Sequence, residues 1–236
     1  AMRGGECLEL CAPIDADCVL TGLTYADEEG RRVYERSLRF LFLLSMKRLY
    51  PEKRVRILNS VGYGVYLRVL DEDISREMVS ALQADMERLV ADDLPFEKEV
   101  WTREQAIEYF SEHHYPDKAE LLACRPSKTI AMYRIGDMRE YFYGAMLPTT
   151  GRIRCFTLKP HFPGLVILMP APAAPMTPAP YSPRAKHLRV FVESQEWCRI
   201  LGASNVADVN RMIRENRMRE FIRVNEALHD KSISTI

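Results

Sequence analysis

Residues able to do chemistry are thinly spread along the 236-residue chain. Of its six cysteines, Cys7, Cys11 and Cys18 cluster at the front, while Cys124, Cys155 and Cys198 are scattered. A tetrahedral zinc site wants two close pairs, or a pair plus spaced histidines, and Cys7 and Cys11 have no second pair downstream. Free thiols are the expectation, because a disulfide framework does not suit a chain of this size and type. His113 and His114 are adjacent, and neighbours on a helix point about 100° apart, which disfavours a shared metal. Next to Tyr115 and Pro116 they suit a helix carboxyl end, whose partial negative charge attracts imidazolium. His161 reads as a loop residue and His229 as surface. Arg211, Arg214, Arg217, Arg219 and Arg223 recur at helical spacing and could face phosphate. Glu215, Glu220 and Glu226 interleave with them, so a self-paired, solvated face is expected instead. No aromatic ladder accompanies these charges to stack bases. Met132, Met138, Met146 and Met169 have the spacing of strands and suit core filling rather than a soft-metal box. No glycine is followed by lysine, so the phosphate-cradling loop G-x-x-x-x-G-K-[ST] is missing.

Composition narrows the classes further. Basic and acidic side chains balance at 33 each, which gives no global pull toward nucleic acid or an anionic membrane. Hydrophobic residues at 47% and charged residues at 28% are ordinary for a globular protein. The longest apolar run, Phe40 with Leu41 to Leu44, is far short of the roughly 20 residues that span a bilayer. Glu6 and Glu9 interrupt any leader-like stretch, and Ala1 ahead of Met2 reads as a residual residue before a native start. A cytoplasmic protein is expected.

The elements that must position these residues follow from periodicity. Residues 6–25 read as short strands broken by Pro13 and Asp15. Tyr34 to Tyr50 is a helix, apolar nearly all round between Leu38 and Leu44, and stopped by Pro51. Arg54 to Ser60 and Tyr63 to Leu70 form a hairpin around Gly62 and Gly64. Ser75 caps a long helix whose stripe is Val79, Leu82, Met86, Leu89 and Val90. Phe96 to Trp101 is a strand. Thr102 and Gln105 make a capping box for a helix through Phe110, and Asp117 with Glu120 starts another by the same logic. A strand-rich block follows: Lys128 to Ile135, Arg139 to Tyr143, Arg152 to Leu158 and Leu165 to Met169. The sum is an α+β fold, an antiparallel sheet with helices on one face, and then a C-terminal helical segment. Six prolines between Pro170 and Pro183 predict an extended connector without strand pairing. Helices from His187 to Leu201, from Ser204 to about Asn216 and from Arg217 to Asp230 close the chain, with Gly202 ending the first.

The segment RSLRFLFLLSMKRLYP from Arg36 to Pro51, the hairpin VRILNSVGYGVYLRV and the helix after Ile74 resemble the second additional domain of threonyl-tRNA synthetases. DMREYFYGAMLPTT lies where that family carries C-x-G-P-H. A second resemblance, to bacterial uridine-kinase-family proteins with a synthetase-like front half, adds ILG-SNV-D-N at Ile200 to Asn210 and EALH-K-I at Glu226 to Ile233. The domains so implied are partial TGS-like β-grasp strands in 1–30 and a synthetase-like domain in 31–170. A Pro-rich connector in 171–186 and a helical segment in 187–236 complete them, the last leading to a kinase domain that is not present.

What the resemblance implies about function turns on its departures. The two histidines of the synthetase motif HxxxH fall on Arg36 and Phe40, and the Cys and His positions on Phe142 and Met146. None of these ligates zinc or shuttles a proton. The expectation is a non-catalytic accessory or regulatory module of a uridine or nucleoside kinase. The alternative is an aminoacyl-tRNA editing hydrolase or an RNA-binding module. No cofactor belongs to this chain; ATP and magnesium would belong to the kinase. The partners so implied are that kinase domain, a homo-oligomer and a small anionic metabolite. A cationic rim should survive at Arg36, Arg39 and Tyr143. There Arg36 either meets an internal carboxylate, such as Glu140 or Glu35, or holds an anion bidentately.

Overall fold

The computed structural model describes residues 1–70, 72–181 and 185–234. In chain order the elements are β1 (Met2–Arg3), β2 (Glu6–Cys7), α1 (Glu28–Leu49), β3 (Val55–Val61), β4 (Gly64–Val69) and α2 (Arg76–Ala91). Then come β5 (Glu97–Thr102), α3 (Arg103–Glu112), α4 (Pro116–Ala123), β6 (Thr129–Ile135) and β7 (Met138–Tyr141). Last are β8 (Thr157–His161), β9 (Gly164–Leu168), β10 (Pro170–Ala171), β11 (Ala174–Pro178), α5 (Ala185–Ile200), α6 (Val206–Arg214) and α7 (Met218–Ile233). The fold is α+β, with antiparallel pairing wherever strand register is defined. Two compact units divide the chain, one of residues 1–99 and 131–182, the other of 100–130 and 183–236. No helix among the described residues is long and apolar enough to cross a membrane.

The first unit is built on a four-stranded sheet in the order β3-β4-β9-β8. Alternation along β4 and β9 turns Val65, Leu67, Val69, Leu165 and Ile167 to one face, where they join a core with α1 and α2. Leu38, Phe40, Leu41 and Phe42 of α1 are at most 1% exposed, as a helix apolar on every side must be. Helix α2 adds Leu82, Met86 and Leu89 from its single stripe. It begins at Ser75, whose side chain accepts from the Met78 amide at 3.1 Å. Its far end is held by Thr150, whose hydroxyl donates to the Leu89 carbonyl at 2.6 Å and accepts from the Leu94 amide at 2.9 Å. Strands β5, β6 and β7 form a second sheet in that order. Arg134 on β6 and Arg139 on β7 reach Glu99 on β5, at 2.9 and 3.0 Å.

In the second unit, Thr102 and Gln105 form the expected capping box of α3. Phe110 of α3 and Leu122 of α4 are buried, with Ala207 and Met212 of α6. Gly202 takes φ +65° just past α5, and Asn205 with Asp208 boxes the start of α6. Glu120 pairs with Arg211 at 3.3 Å and Arg214 at 3.1 Å. Arg217 pairs with Glu215 and Glu220.

Several expectations need correction. Only Met2–Arg3 and Glu6–Cys7 pair as strands in the front segment, with one further bridge from Met2 to Thr21. The stretch from Arg152 toward Phe156 is not strand: residues 150–152 are a 3-10 turn. Two anchors draw it off the ladder, Thr150 at the end of α2 and the Tyr34 hydroxyl at the Cys155 backbone. Asp117 and Glu120 do not cap α4, which opens on Pro116 at its first turn, where a missing amide costs nothing. The proline-rich segment pairs with itself as the hairpin β10–β11, turning at Pro172 and Ala173. Alanines carry the register at its turn, Ala171 opposite Ala174. Residues 182–184 of that segment lie outside the described residues. His161 sits at the end of β8, buried rather than in a loop.

Candidate functional site

Arg36, Phe40, Phe142 and Met146 all belong to the first unit and do come together, but as packing. Arg36 and Phe40 are one turn apart on α1, and Phe142 to Met146 follow β7. The Phe40 ring lies 5.7 Å from Phe142 and 5.8 Å from Phe96, both tilted. Phe40 is fully buried and Met146 is 3% exposed. Between them Ser37 locks the helix to the segment after β7. Its hydroxyl donates to the Val33 carbonyl at 2.9 Å and accepts from the Leu147 amide at 2.9 Å, with the Met146 sulfur at 3.7 Å. Aromatic and thioether groups therefore fill the space between α1 and the segment after β7.

Arg36 borders this cluster. Its Nη1 donates to the Tyr143 carbonyl and its Nη2 to Glu29, both at 2.7 Å. The carboxylate is thus Glu29, seven residues back and on the same stripe of α1, rather than Glu35 or Glu140. The hydrogen bond from Arg36 holds the Glu29 carboxyl below its usual range. Arg36 Nε is buried without a hydrogen-bond partner among the described residues. Gly144 makes this arrangement possible. It sits at φ +97°, and a Cβ there would lie 2.2 Å from Arg36 Nη1. Arg39 is engaged separately by Glu35, one turn back. The Tyr143 ring is about half exposed and stands edge-on to Tyr141 at 5.6 Å. Of the three rim residues, Arg36 and Tyr143 meet through the latter's backbone, and Arg39 is held apart from them by its own acid.

The front segment closes over the same stretch. Tyr133 donates to Glu9 and lies 2.9 Å from the Gly144 carbonyl. Lys98 Nζ is 3.5 Å from Glu9. Burial, reinforced by the Glu9 carboxylate, raises the Tyr133 hydroxyl far above its ordinary range. Sequence reasoning gave no sign of this contact, because it joins residues 124 apart in the chain.

It also gave no sign of a cavity of about 310 Å³ in the first unit, lined by residues from the front segment, α1, the 145–155 stretch and β11. The remaining candidates resolve into structure. His113 Nδ1 lies 2.7 Å from the Tyr109 carbonyl at the end of α3. His161 packs on Tyr66 and meets the Tyr181 hydroxyl, and burial lowers its pKa. Met132, Met146 and Met169 are buried. All six cysteines are free thiols. Among the described residues no group of three or more His, Cys, Asp or Glu is placed to hold a metal.

No protein-family model matches the chain. Similarity to individual proteins is clear. The chain is 30% identical over 156 residues to the threonine–tRNA ligase of Acetivibrio thermocellus, a match covering 65% of this chain and 25% of that protein. It is 33% identical over 156 residues to the enzyme of Halorhodospira halophila, covering 65% and 24%. It is 32% identical over 160 residues to that of Clostridium tetani, covering 67% and 25%. The chain spans about a quarter of the length of these relatives. The likeness to uridine-kinase-type proteins rests on the sequence motifs alone. Over about two thirds of its length the chain is homologous to threonine–tRNA ligases, and it carries a threonine–tRNA-ligase-like module.

Proposed function

We propose that this chain is a non-catalytic module related to the second additional domain of threonine–tRNA ligases, its editing position converted into packing. The observation that carries this is the cluster of Phe40, Phe96, Phe142 and Met146. Hydrolysis of an aminoacyl ester needs a positioned base, a metal-bound water or donors for the oxyanion. Phenylalanine and methionine supply none, and the nearest charge, Arg36, is held by Glu29 and the Tyr143 carbonyl. The test is to incubate the purified chain with threonine tRNA mischarged with serine. Loss of the ester at the buffer rate is expected; deacylation that disappears in Phe142→Ala would overturn the reading.

Passive tRNA binding is the neighbouring possibility, and charge argues against it. Of the basic run, Arg211, Arg214 and Arg217 are paired with Glu120, Asp208, Glu215 and Glu220. Phosphate contacts would have to break those pairs. A titration against tRNA should show no saturable binding at physiological salt, and a steep salt dependence of a measurable affinity would restore the RNA-binding reading.

The finer role we propose is accessory: a front half that positions or regulates an ATP-dependent uridine or nucleoside kinase. Its support is the pair of motifs at Ile200 to Asn210 and Glu226 to Ile233. Gly202 and the Asn205–Asp208 box give the first motif a structural task, the joint between α5 and α6. ATP and magnesium would be held by the kinase. The natural reading frame, expressed whole, should phosphorylate uridine from ATP; a reading frame whose product does not transfer phosphate would remove this role.

A further inference from the structure

The cavity beside α1 has a chemistry that the ligase-like packing does not use. Its walls are apolar: Val33 and Tyr34 of α1, Met146 and Cys155 from the segments after β7, and Leu8 from the front. Tyr34 fixes the floor. Its hydroxyl donates to the Cys155 carbonyl at 2.6 Å and accepts from the Cys155 amide at 3.0 Å, so both polar groups of that buried peptide are satisfied. Tyr25 donates to the Pro170 carbonyl at 2.7 Å and stands edge-on to Tyr34 at 5.1 Å, tying β10 to the same wall. At the mouth, Leu10 and Met176 are each 72% exposed, large apolar groups left in water around an apolar hole.

The rim carries the second half of the pattern. Arg152 and Arg154 line the cavity, and neither side chain has a hydrogen bond or ion pair among the described residues. Arg36, Arg39, Arg134 and Arg139 of the same unit are all paired with acids. Two unpaired guanidinium groups over an apolar chamber match a ligand with one anionic end and an apolar body. The chamber's size is at the small end of ligand sites. The hydroxyls in its lining are already engaged: Thr24 hydrogen-bonds with Asp27, and Tyr25 and Tyr34 with backbone. A sugar or base edge would lose hydrogen bonds against these walls, so an apolar body fits the chamber better than a nucleoside.

We propose that this cavity binds a small monocarboxylate with an aliphatic or aromatic body, its carboxylate held by Arg152 and Arg154 and its apolar part on Val33, Tyr34, Met146 and Cys155. The site goes beyond the accessory role proposed above and does not depend on it. The experiment uses octanoate as probe, 1-octanol as its uncharged counterpart, and calorimetry with the whole chain. Octanoate should bind saturably below about 1 mM, the range of weak metabolite sites, and 1-octanol at least about tenfold more weakly. The double variant Arg152→Ala/Arg154→Ala, whose side chains are exposed and unpaired, should melt like the parent and lose about tenfold in affinity. Val33→Phe, made to fill the chamber, should abolish binding; its melting curve confirms that it folds. A second filler, Met146→Phe, serves if it does not. No saturable octanoate binding, equal binding of octanol, or full affinity in the double arginine variant or in a folded filler variant would each overturn the proposal.

Discussion

Arg36 shows how a half-buried cation becomes part of the structure. A guanidinium mostly out of water must be paired, and this one is, by Glu29 and the Tyr143 carbonyl. Arg36→Ala leaves both acceptors with one partner fewer and should cost about 1–3 kcal/mol, read by urea unfolding, with no change in binding of any nucleotide. Because Arg36 depresses the Glu29 pKa, the stabilisation from this pair is complete above the ordinary carboxylate pKa. It is lost as pH falls through the folded-state value. The variant should therefore unfold less steeply in acid than the parent, and an identical acid profile would show that the pair does not contribute. Gly144→Ala places a Cβ against the same guanidinium at a backbone angle that L-residues avoid. A loss of about 1–3 kcal/mol is expected; a variant as stable as the parent would mean that Arg36 moves away freely.

At the scale of elements, two joints set the first unit's geometry. The Tyr34 hydroxyl replaces a strand ladder at Cys155, and Thr150 ends α2 with two hydrogen bonds. Tyr34→Phe strands a buried amide and carbonyl and should cost about 1–3 kcal/mol, with little change in secondary structure by circular dichroism. His161 is the pH-dependent member of the other face, packed against Tyr66 and touching Tyr181. Burial lowers its pKa, so its contribution is present above the unfolded-state value of about 6.5 and is lost as pH falls through the folded one. Thermal melts from pH 7.5 to 5 should show a decline that His161→Phe reduces.

For the molecule as a whole, stability is concentrated in the sandwich of α1, α2 and the four-stranded sheet. Leu82 is fully buried on α2, and Leu82→Ala should cost about 2–5 kcal/mol. Amide exchange should be slowest between Leu38 and Met46, where all residues but Arg39 and Leu43 are buried. It should be fast along α7, which exposes Ile222, Val224 and Ile233. Equal protection in both helices would contradict this distribution.

The sequence by itself determined the elements whose cause is local. The helix around Leu38 to Leu44, the cap at Ser75, the Thr102–Gln105 box, the Gly62 hairpin and the Gly202 stop are each set by side chains within a few residues of where they act. It also showed that Phe40 and Phe142 carry no group able to ligate a metal or move a proton, since that is a matter of side-chain type. What depended on long-range contact was decided only by the tertiary structure. The acid that pairs with Arg36, the burial of His161, the conversion of a strand at Arg152 to Phe156 into anchored coil and the self-pairing of the proline segment all belong here. So does the cavity beneath Arg152 and Arg154, whose walls come from four segments of the chain. Periodicity reports which face of an element is apolar, but not which distant segment arrives to cover it, nor where the covering falls short and leaves a hole.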